Sequence, residues 1–462
     1  MLTIHNYNNN ITERKEKRSM KGLQLIGFKE QNLHSISDYI NALNIIISVN
    51  NKTQHLRGFV APIVADWPGQ IFIRKILYKQ TLFQSNFSQD IKSFLLMLGP
   101  LHVFLNSREQ VILVHHSFFE RLFHFVFGKN KKLAKKPRPW QINLLLELSK
   151  CGWIKIRNQI IKKFGNNCQD IEYQITIDLL DNLIPAVIDI YAILFRSGLF
   201  EKYVENVFRI WTFFLRWKRK NYNKAPLVFL SDLFYWKDMN HPFFDALQKY
   251  LPCFNDYYVE NTYSKIRANT SPNATVDNII KQAYVIMNQD PIFKDTYCKT
   301  RHYPYNIPML DFLSNKTSLF LLQYFHDLYC NLGKTTLEEE VDLRRLPTGY
   351  STSYPPQQGL CDRCKLPFAN EDGVTFICGH SYYTGCYDKK CIYCEEFYKR
   401  GIFENVNSFL KRIEKGADTL TQEDLGDDDG NDIEEGEEQS EEIEIQDISN
   451  NLEIEINQIE NW

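Results

Sequence analysis

Residues 361–394 read CDRCKLPFANEDGVTFICGHSYYTGCYDKKCIYC, and they carry the strongest structural signal in the chain. The spacing is C-x2-C-x13-C-x-H-x5-C-x4-C-x2-C, which places seven thiol or imidazole groups within 34 residues: Cys361, Cys364, Cys378, His380, Cys386, Cys391 and Cys394. Each C-x2-C turn can offer two thiolates to one tetrahedral Zn2+, and a histidine supplies the nitrogen ligand that zinc also accepts. The other five of the eleven cysteines are scattered singly, as in proteins of a reducing compartment. We therefore predict a finger that binds one or two Zn2+ ions rather than a disulfide-linked loop.

The order of these ligands resembles that of a RING-H2 finger, in which eight ligands interleave around two zinc ions. The stretch from Cys378 to Cys386 keeps every interval of the C-x-H-x2-H-x2-C part of that pattern, but Tyr383 stands where the second histidine belongs. The resemblance implies one complete metal site, formed by Cys378, His380, Cys391 and Cys394. It also implies one incomplete site, formed by Cys361, Cys364 and Cys386. A degenerate structural site and a finger with a single zinc are the two interpretations left open.

A RING-like finger raises the hypothesis of a ubiquitin ligase that uses the rest of the chain as a substrate adaptor. Ligases of this type resemble one another in an apolar residue after the first ligand and often a proline after the seventh, which together form a groove for the conjugating enzyme. These positions hold Asp362 and Ile392, and Glu395 follows the last ligand where a basic residue is common. The sequence therefore favours a scaffold over a ligase.

The composition is that of a large globular protein with several domains, since 44% of its 462 residues are hydrophobic and 14% are aromatic. Residues 1–19 contain no apolar stretch of the kind found in a secretory signal. The most apolar run, residues 183–195, is broken by Pro185 and Asp189 and is too short to span a bilayer. We therefore expect an intracellular protein, in the nucleus or the cytoplasm, with no membrane partner.

The net charge of -2 hides an uneven distribution along the chain. The segment from Thr421 to the end contains 17 of the 56 acidic residues and none of the 54 Lys and Arg, so residues 1–420 carry a net charge of about +15. The acidic segment, residues 421–462, is predicted to be disordered. Its end alternates as EEIEIQDIS and LEIEIN, so it could add a strand to a protein partner, fold back on the basic body, or act only as a solvating tail.

Two basic runs in the body are candidates for contact with nucleic acid. Residues 129–138 read KNKKLAKKPR and precede Trp140, while residues 216–224 read RWKRKNYNK and include Trp217 and Tyr222. Lys and Arg neutralise phosphates, and aromatic rings can stack on bases. A solvated basic face that contacts nothing is the alternative for both runs.

Hydrophobic periodicity predicts a mainly helical body with a small α/β part. The predicted elements are strands over residues 22–28 and 57–65, helices over 36–48 and 70–78, and a last helix over 316–332. An apolar segment over residues 93–106 is predicted to lead the chain back into the core. The predicted body covers residues 1–340, with α/β elements near 1–106 and 256–290 and a helical insertion over about 109–250. After the body we predict a linker over 341–360 and a separate finger over 361–400. A short helix over 401–420 and the tail over 421–462 complete the predicted organisation.

The α/β part resembles the catalytic core of ribonuclease-H-like transposases, most nearly the hAT-like group. Asp66, at the end of a predicted strand, matches the second acid of that family, and GPLHVFLN at residues 99–106 resembles its Cys-x-x-His-x-x-Asn-Leu stretch. Glu260, in YVENTYSKIRANTSP, is similar to the family's glutamate helix. Three such acids hold two Mg2+ ions about 4 Å apart around the scissile phosphate. The first acid is missing here, because the chain offers His5 and Asn6 at the expected place.

These observations predict a zinc-binding, non-catalytic protein that is derived from a transposase and binds nucleic acid or another protein. A RING-type ubiquitin ligase is the first alternative. A metal-dependent transposase or nuclease is the second, with Mg2+ held by Asp66 and Glu260. The simpler roles of these two acids are a helix cap for Asp66 and an exposed helical position for Glu260.

Overall fold

The structure, a computed structural model, describes most of the chain between residues 31 and 425. The described residues are 31–56, 58–82, 88–128, 131–165, 171–254, 256, 271, 274–288, 307–331, 357, 359–368, 373–376, 378–387 and 390–425. The strand predicted over 22–28, the segment around Glu260 and the acidic tail from residue 426 onward lie outside them. The chain divides into two compact units, Met1–Thr419 and Leu420–Trp462. In the second unit the described part contains a short helix, Gln422–Leu425.

The described part of the first unit is mainly helical, as predicted. Its helices are α1 Ile36–Thr53, α2 Trp67–Thr81, α3 Pro100–Val114, α4 His116–Phe127, α5 Pro139–Phe164, α6 Ile171–Asp178, α7 Tyr191–Arg196, α8 Phe200–Arg216, α9 Ala225–Asp238, α10 Pro242–Tyr250, α11 Val276–Asn288, α12 Ile307–Asn331 and α13 Ile392–Lys415. Its strands are β1 Ala61–Ala65, β2 Phe94–Leu98, β3 Gly373–Thr375 and β4 Ser381–Tyr383.

The α/β part is built on β1 and β2, which pair in parallel with Ala61 opposite Phe94. Parallel neighbours need a crossover connection, and α2 provides it. Gln70 of α2 is buried and donates from Nε2 to the carbonyl oxygen of Met97 at 2.8 Å, which ties the helix to β2. The strand predicted over residues 57–65 is thus confirmed over Ala61–Ala65.

The helical part packs around α8, whose buried face includes Ile210, Trp211 and Phe214. Two π-helical turns, Leu179–Leu183 and Ala186–Ile190, precede it on either side of Pro185. Proline has no N–H and its ring crowds the carbonyl four residues earlier, so a helix that continues through it must widen locally. The chain therefore stays helical through the proline that breaks the apolar run in the sequence.

The last two predicted helices begin well before their predicted first residues. The helix predicted over residues 316–332 begins at Ile307, because Pro308 lies in its first turn, where a missing N–H costs nothing. The short helix predicted over residues 401–420 is part of α13, which begins at Ile392 inside the finger. The residue before it, Cys391, is the N-cap.

Helix α13 joins the finger to the rest of the first unit through contacts at Gly401 and Phe409. The ring of Phe409 lies 5.6 Å from that of Trp67 in α2, measured between centroids. Gly401 lies so close to α8 that an added Cβ would stand 2.8 Å from Cδ1 of Leu215. The finger, predicted to be separate, therefore belongs to the same compact unit as the body.

The chain just after α13 is also fixed to the body. Lys75 of α2 is 1% exposed, and its ammonium donates to the carbonyl oxygen of Ala417 at 2.9 Å and lies 2.9 Å from Oδ1 of Asp418. The backbone N–H of Ile36, at the start of α1, donates to the carbonyl oxygen of Asp418 at 2.9 Å. A buried ammonium must be paired, so these contacts hold the end of α13 in one place.

Candidate metal centre

Three thiols and one imidazole surround the start of α13. Nδ1 of His380 lies 3.4 Å from Sγ of Cys378 and 3.6 Å from Sγ of Cys391. The sulfurs of Cys378, Cys391 and Cys394 lie within 4.8 Å of one another. Zn–S bonds of about 2.3 Å and Zn–N bonds of about 2.0 Å at tetrahedral angles place nitrogen and sulfur ligands about 3.5 Å apart. The three sulfurs are close enough to share one metal ion, and Nδ1 of His380 has a zinc-ligand separation from two of them; we call these four side chains the closed site.

Local structure explains how the closed site forms. Gly379 adopts a positive φ of 80°, which a residue with a Cβ adopts only with strain, and this turn separates Cys378 from His380. The strand β4 follows directly, while Cys391 and Cys394 occupy the N-cap and the first turn of α13. Backbone N–H groups at a helix N-terminus favour negative charge, so this end of α13 suits two thiolates.

Aromatic side chains cover two ligands of the closed site, His380 and Cys391. His380 is fully buried, and the ring of Tyr393 lies 4.6 Å from its imidazole. The hydroxyl of Tyr382, which is 1% exposed, lies 3.3 Å from Sγ of Cys391. Exclusion of water from the ligands is typical of a structural metal site rather than a catalytic one.

A second group contains three ligands, Cys361, Cys364 and Cys386, whose sulfurs lie within 4.8 Å of one another. We call it the open site. No fourth His, Cys, Asp or Glu within the described ranges lies that close to all three sulfurs. The sulfurs of the two groups divide as in the interleaved sets that the RING-H2 resemblance implies.

Tyr383 occupies the position of the missing ligand but does not face the open site. Its hydroxyl donates to the carbonyl oxygen of Pro367, and its ring lies 4.8 Å from that of Phe368. Its backbone N–H donates to Sγ of Cys361 at 3.5 Å. The tyrosine therefore supports the open site through its backbone and packs its side chain elsewhere.

The thiols of the two sites differ in acidity. Burial raises the pKa of Cys361, but hydrogen bonds from backbone N–H groups, that of Cys364 first, outweigh it and lower the pKa to about 7. Burial raises the pKa of Cys386 to about 11. In the closed site, a hydrogen bond from Cys378 holds the pKa of Cys391 far below its usual range. Metals bind the thiolate, and the hydrogen bonds to Cys361 and Cys391 favour that form.

Asp362 has a structural task inside the finger. It is 2% exposed, its Oδ2 accepts from the N–H of Ser381 at 2.8 Å, and its own N–H donates to the carbonyl oxygen of Ser381 at 2.7 Å. The hydroxyl of Tyr393 donates to the carbonyl oxygen of Asp362 at 3.3 Å. The side chain that follows the first ligand thus links the two halves of the finger instead of forming an external groove.

The transposase-like acids are not brought together in the part of the chain that the structure describes. Asp66 caps α2, with Oδ1 accepting from the N–H of Gly69 at 2.9 Å, which is the simpler of its two roles. Glu260 lies outside the described residues. No group of three metal-ligating side chains occurs at this edge of the described sheet.

Asp256 lies at the same edge of the β1–β2 sheet, and the sequence does not predict it as a site residue. Its Oδ1 accepts from the N–H of Leu101 at 2.9 Å, and its Oδ2 lies 2.8 Å from Nδ1 of His102. An added Cβ on Gly99 would lie 2.1 Å from the same carboxylate, so the glycine makes room for it. The stretch GPLHVFLN therefore binds a carboxylate at the start of α3.

The first basic run projects several cations into solvent. Within its described part, residues 131–138, Leu133 and Pro137 are buried and anchor the segment. Lys132, Lys135 and Lys136 are exposed. The segment thus holds three lysines on an ordered loop before α5.

The second basic run is engaged in packing within the body. Arg219, with a side chain that is 10% exposed, is paired with Glu109 of α3, and Arg216 lies 3.7 Å from Asp178. Tyr222 is buried in the core. These side chains hold the turn between α8 and α9, which leaves fewer of them to contact a partner.

No family model, curated protein or solved structure matches the chain. The resemblances to RING-H2 fingers and to transposases therefore rest on the residues named above. Among the described residues, no helix is both long and apolar enough to cross a membrane.

Proposed function

We propose that the protein is a zinc-binding, non-catalytic interaction protein, with a RING-like finger on a body derived from a ribonuclease-H-like transposase. The closed site carries this proposal. Its three sulfurs are close enough to share one Zn2+, Nδ1 of His380 has a zinc-ligand separation from two of them, and three of the four side chains are buried. Two of them begin α13, so the metal fixes the helix that connects the finger to the body.

The body supports descent from a transposase together with loss of catalysis. A parallel strand pair with a helical crossover, an aspartate at the end of β1 and the GPLHVFLN stretch after β2 follow the order of that family. The carboxylate of Asp66, however, accepts a hydrogen bond from the N–H of Gly69. A helix-capping carboxylate is a poor candidate for holding a pair of Mg2+ ions.

A scaffold role is favoured over a ubiquitin ligase by Asp362. A buried aspartate bonded to Ser381 offers no apolar groove to a conjugating enzyme. Ubiquitin transfer by the full-length protein with a panel of conjugating enzymes, lost on Cys391→Ala, would contradict the scaffold role.

The zinc-binding function is tested by elemental analysis of the purified full-length protein. We expect bound zinc in the unmodified protein and one zinc fewer per chain in His380→Ala. Leu410→Ala, on the exposed side of α13, is the matched control and should keep all the zinc. A protein without zinc, or a His380→Ala variant with unchanged zinc content, would overturn the proposal.

The nucleic-acid partner is proposed to bind at residues 129–138, because Lys132, Lys135 and Lys136 are exposed on an anchored loop. Exchange of all three for glutamine should weaken binding to a fluorescent DNA duplex. It should also reduce the slope of log affinity against log salt by about 2 to 3 units, since each phosphate contact contributes about 0.9. The control variant exchanges three exposed lysines elsewhere: Lys202, Lys237 and Lys249. Equal salt slopes for the two triple variants would exclude this loop.

A further inference from the structure

We propose that the open site binds a second Zn2+ ion through three thiolates and keeps its fourth coordination position exchangeable, available to an imidazole group from outside the finger. The ligands are Cys361, Cys364 and Cys386, whose sulfurs are already close enough to share one metal ion. The inference rests on the zinc-binding function proposed above, and it adds a binding site for an external ligand.

The finger itself does not supply the fourth ligand from Tyr383. The phenol is turned to the carbonyl oxygen of Pro367 and packed on Phe368, so ligation would break a hydrogen bond and an aromatic contact. A phenol oxygen is also not among the usual zinc ligands, which are Cys sulfur, His nitrogen and Asp or Glu oxygen. Zinc held by three protein ligands keeps its fourth position for water or another exchangeable ligand.

Solvent reaches the open site through Cys364. This side chain is exposed, whereas the ligands of the closed site are buried or, for Cys394, half-buried as Cys386 is. Next to Cys386, a Cβ added to Gly385 would meet no atom within 4 Å. An external group can therefore approach the metal from the side of Cys364 and Cys386.

Charge favours a neutral nitrogen donor in the fourth position. Three thiolates and Zn2+ carry a net charge of -1, and a fourth thiolate or a carboxylate would raise it to -2. The guanidinium of Arg363 lies at the rim, where it donates to the carbonyl oxygen of Cys386 at 3.1 Å, but its side chain is exposed and its charge is screened by water. Imidazole completes the tetrahedron without added charge, and zinc accepts it readily.

The test uses cobalt, because Co2+ has visible ligand-field bands that report its donor atoms whereas Zn2+ has none. The full-length protein is exchanged into Co2+, its metal content is measured, and imidazole is titrated. We expect two metal ions per chain and a saturable shift in part of the visible spectrum.

Matched variants assign that shift to the open site. Tyr383→His should supply an imidazole from within, and should abolish the response while both metal ions stay bound. Tyr383→Phe removes the hydroxyl alone and should keep the response. Cys386→Ser should lose the response, and His380→Ala should keep it while losing the other metal ion.

Three results would overturn the proposal. Two bound metal ions with no response to imidazole would show that a protein group fills the fourth position. A single metal ion that is lost in His380→Ala would leave the proposed zinc function intact and show that the open site is empty. A response to imidazole that persists in Cys386→Ser would place the exchangeable position elsewhere.

Discussion

Replacement of Phe409 by alanine removes the side chain through which α13 contacts Trp67. The Phe409 ring is 9% exposed, belongs to the main hydrophobic core and lies 5.6 Å from the indole ring. Truncation of a buried phenylalanine to alanine costs about 3 to 5 kcal/mol. Because this ring lies at the edge of the core, we expect the free energy of unfolding to fall by about 3 kcal/mol.

The change is measured by urea denaturation followed by tryptophan fluorescence. Leu410→Ala is the control, since the next residue of the same helix is 47% exposed and its loss should alter the free energy of unfolding by less than about 0.5 kcal/mol. Both variants introduce alanine, so helix propensity contributes little to the difference.

The docking of α13 would be refuted if Phe409→Ala and Leu410→Ala had the same small effect. Removal of zinc with a chelator gives a second reading of the same contact. If the closed site fixes the start of α13, chelation should reduce the difference between the two variants, because the helix is then less firmly held.

Three further outcomes are expected. Arg219→Met should lower the free energy of unfolding by about 2 kcal/mol, since it leaves the Glu109 carboxylate without its cation, while Lys218→Met, at an exposed neighbour, should be neutral; urea denaturation compares them. A hydrogen bond with Lys79 holds the pKa of Asp418 below its ordinary 3.8 in the folded protein. The charged Asp418 therefore contributes to the free energy of unfolding above that pH, and this contribution is lost as the pH falls through the lower pKa of the folded state. Asp418→Asn should therefore melt below the unmodified protein at pH 6, with the gap closing below pH 3.8 in thermal scans. Chelation should lower the melting temperature of the unmodified protein to about that of Cys391→Ala. If the chelator lowered the melting temperatures of the unmodified protein and of Cys391→Ala equally, the closed site would have no structural role.

The metal ligands are the part of the site that sequence reasoning reaches most directly. A C-x2-C turn brings two thiols together without help from the rest of the chain, so Cys391 and Cys394 are recognisable from spacing alone. Their position at the start of α13 is harder to predict. Thiols are uncommon N-caps, so the sequence does not predict the start of α13 at Ile392.

Contacts between distant residues account for most of what the sequence does not reveal. The carboxylate of Asp256 contacts Leu101 and His102, which are 155 and 154 residues away in the sequence. No local sequence pattern predicts these contacts. Pro308 illustrates a local ambiguity, because a proline is compatible both with a loop and with the first turn of a helix. Tertiary packing decides between them.

The contact between α2 and the chain after α13 has a consequence for the synthesis of the protein. Lys75 and Gly416, which are hydrogen-bonded, are 341 residues apart. A ribosome that adds about 5 to 20 residues per second needs roughly 20 to 70 s to make the chain between them. During that interval the indole of Trp67 and its neighbours have been made but their covering helix has not. The nascent body is therefore expected to be a client of chaperones until its final segment leaves the ribosome, and shortened products that stop before α13 are expected to aggregate.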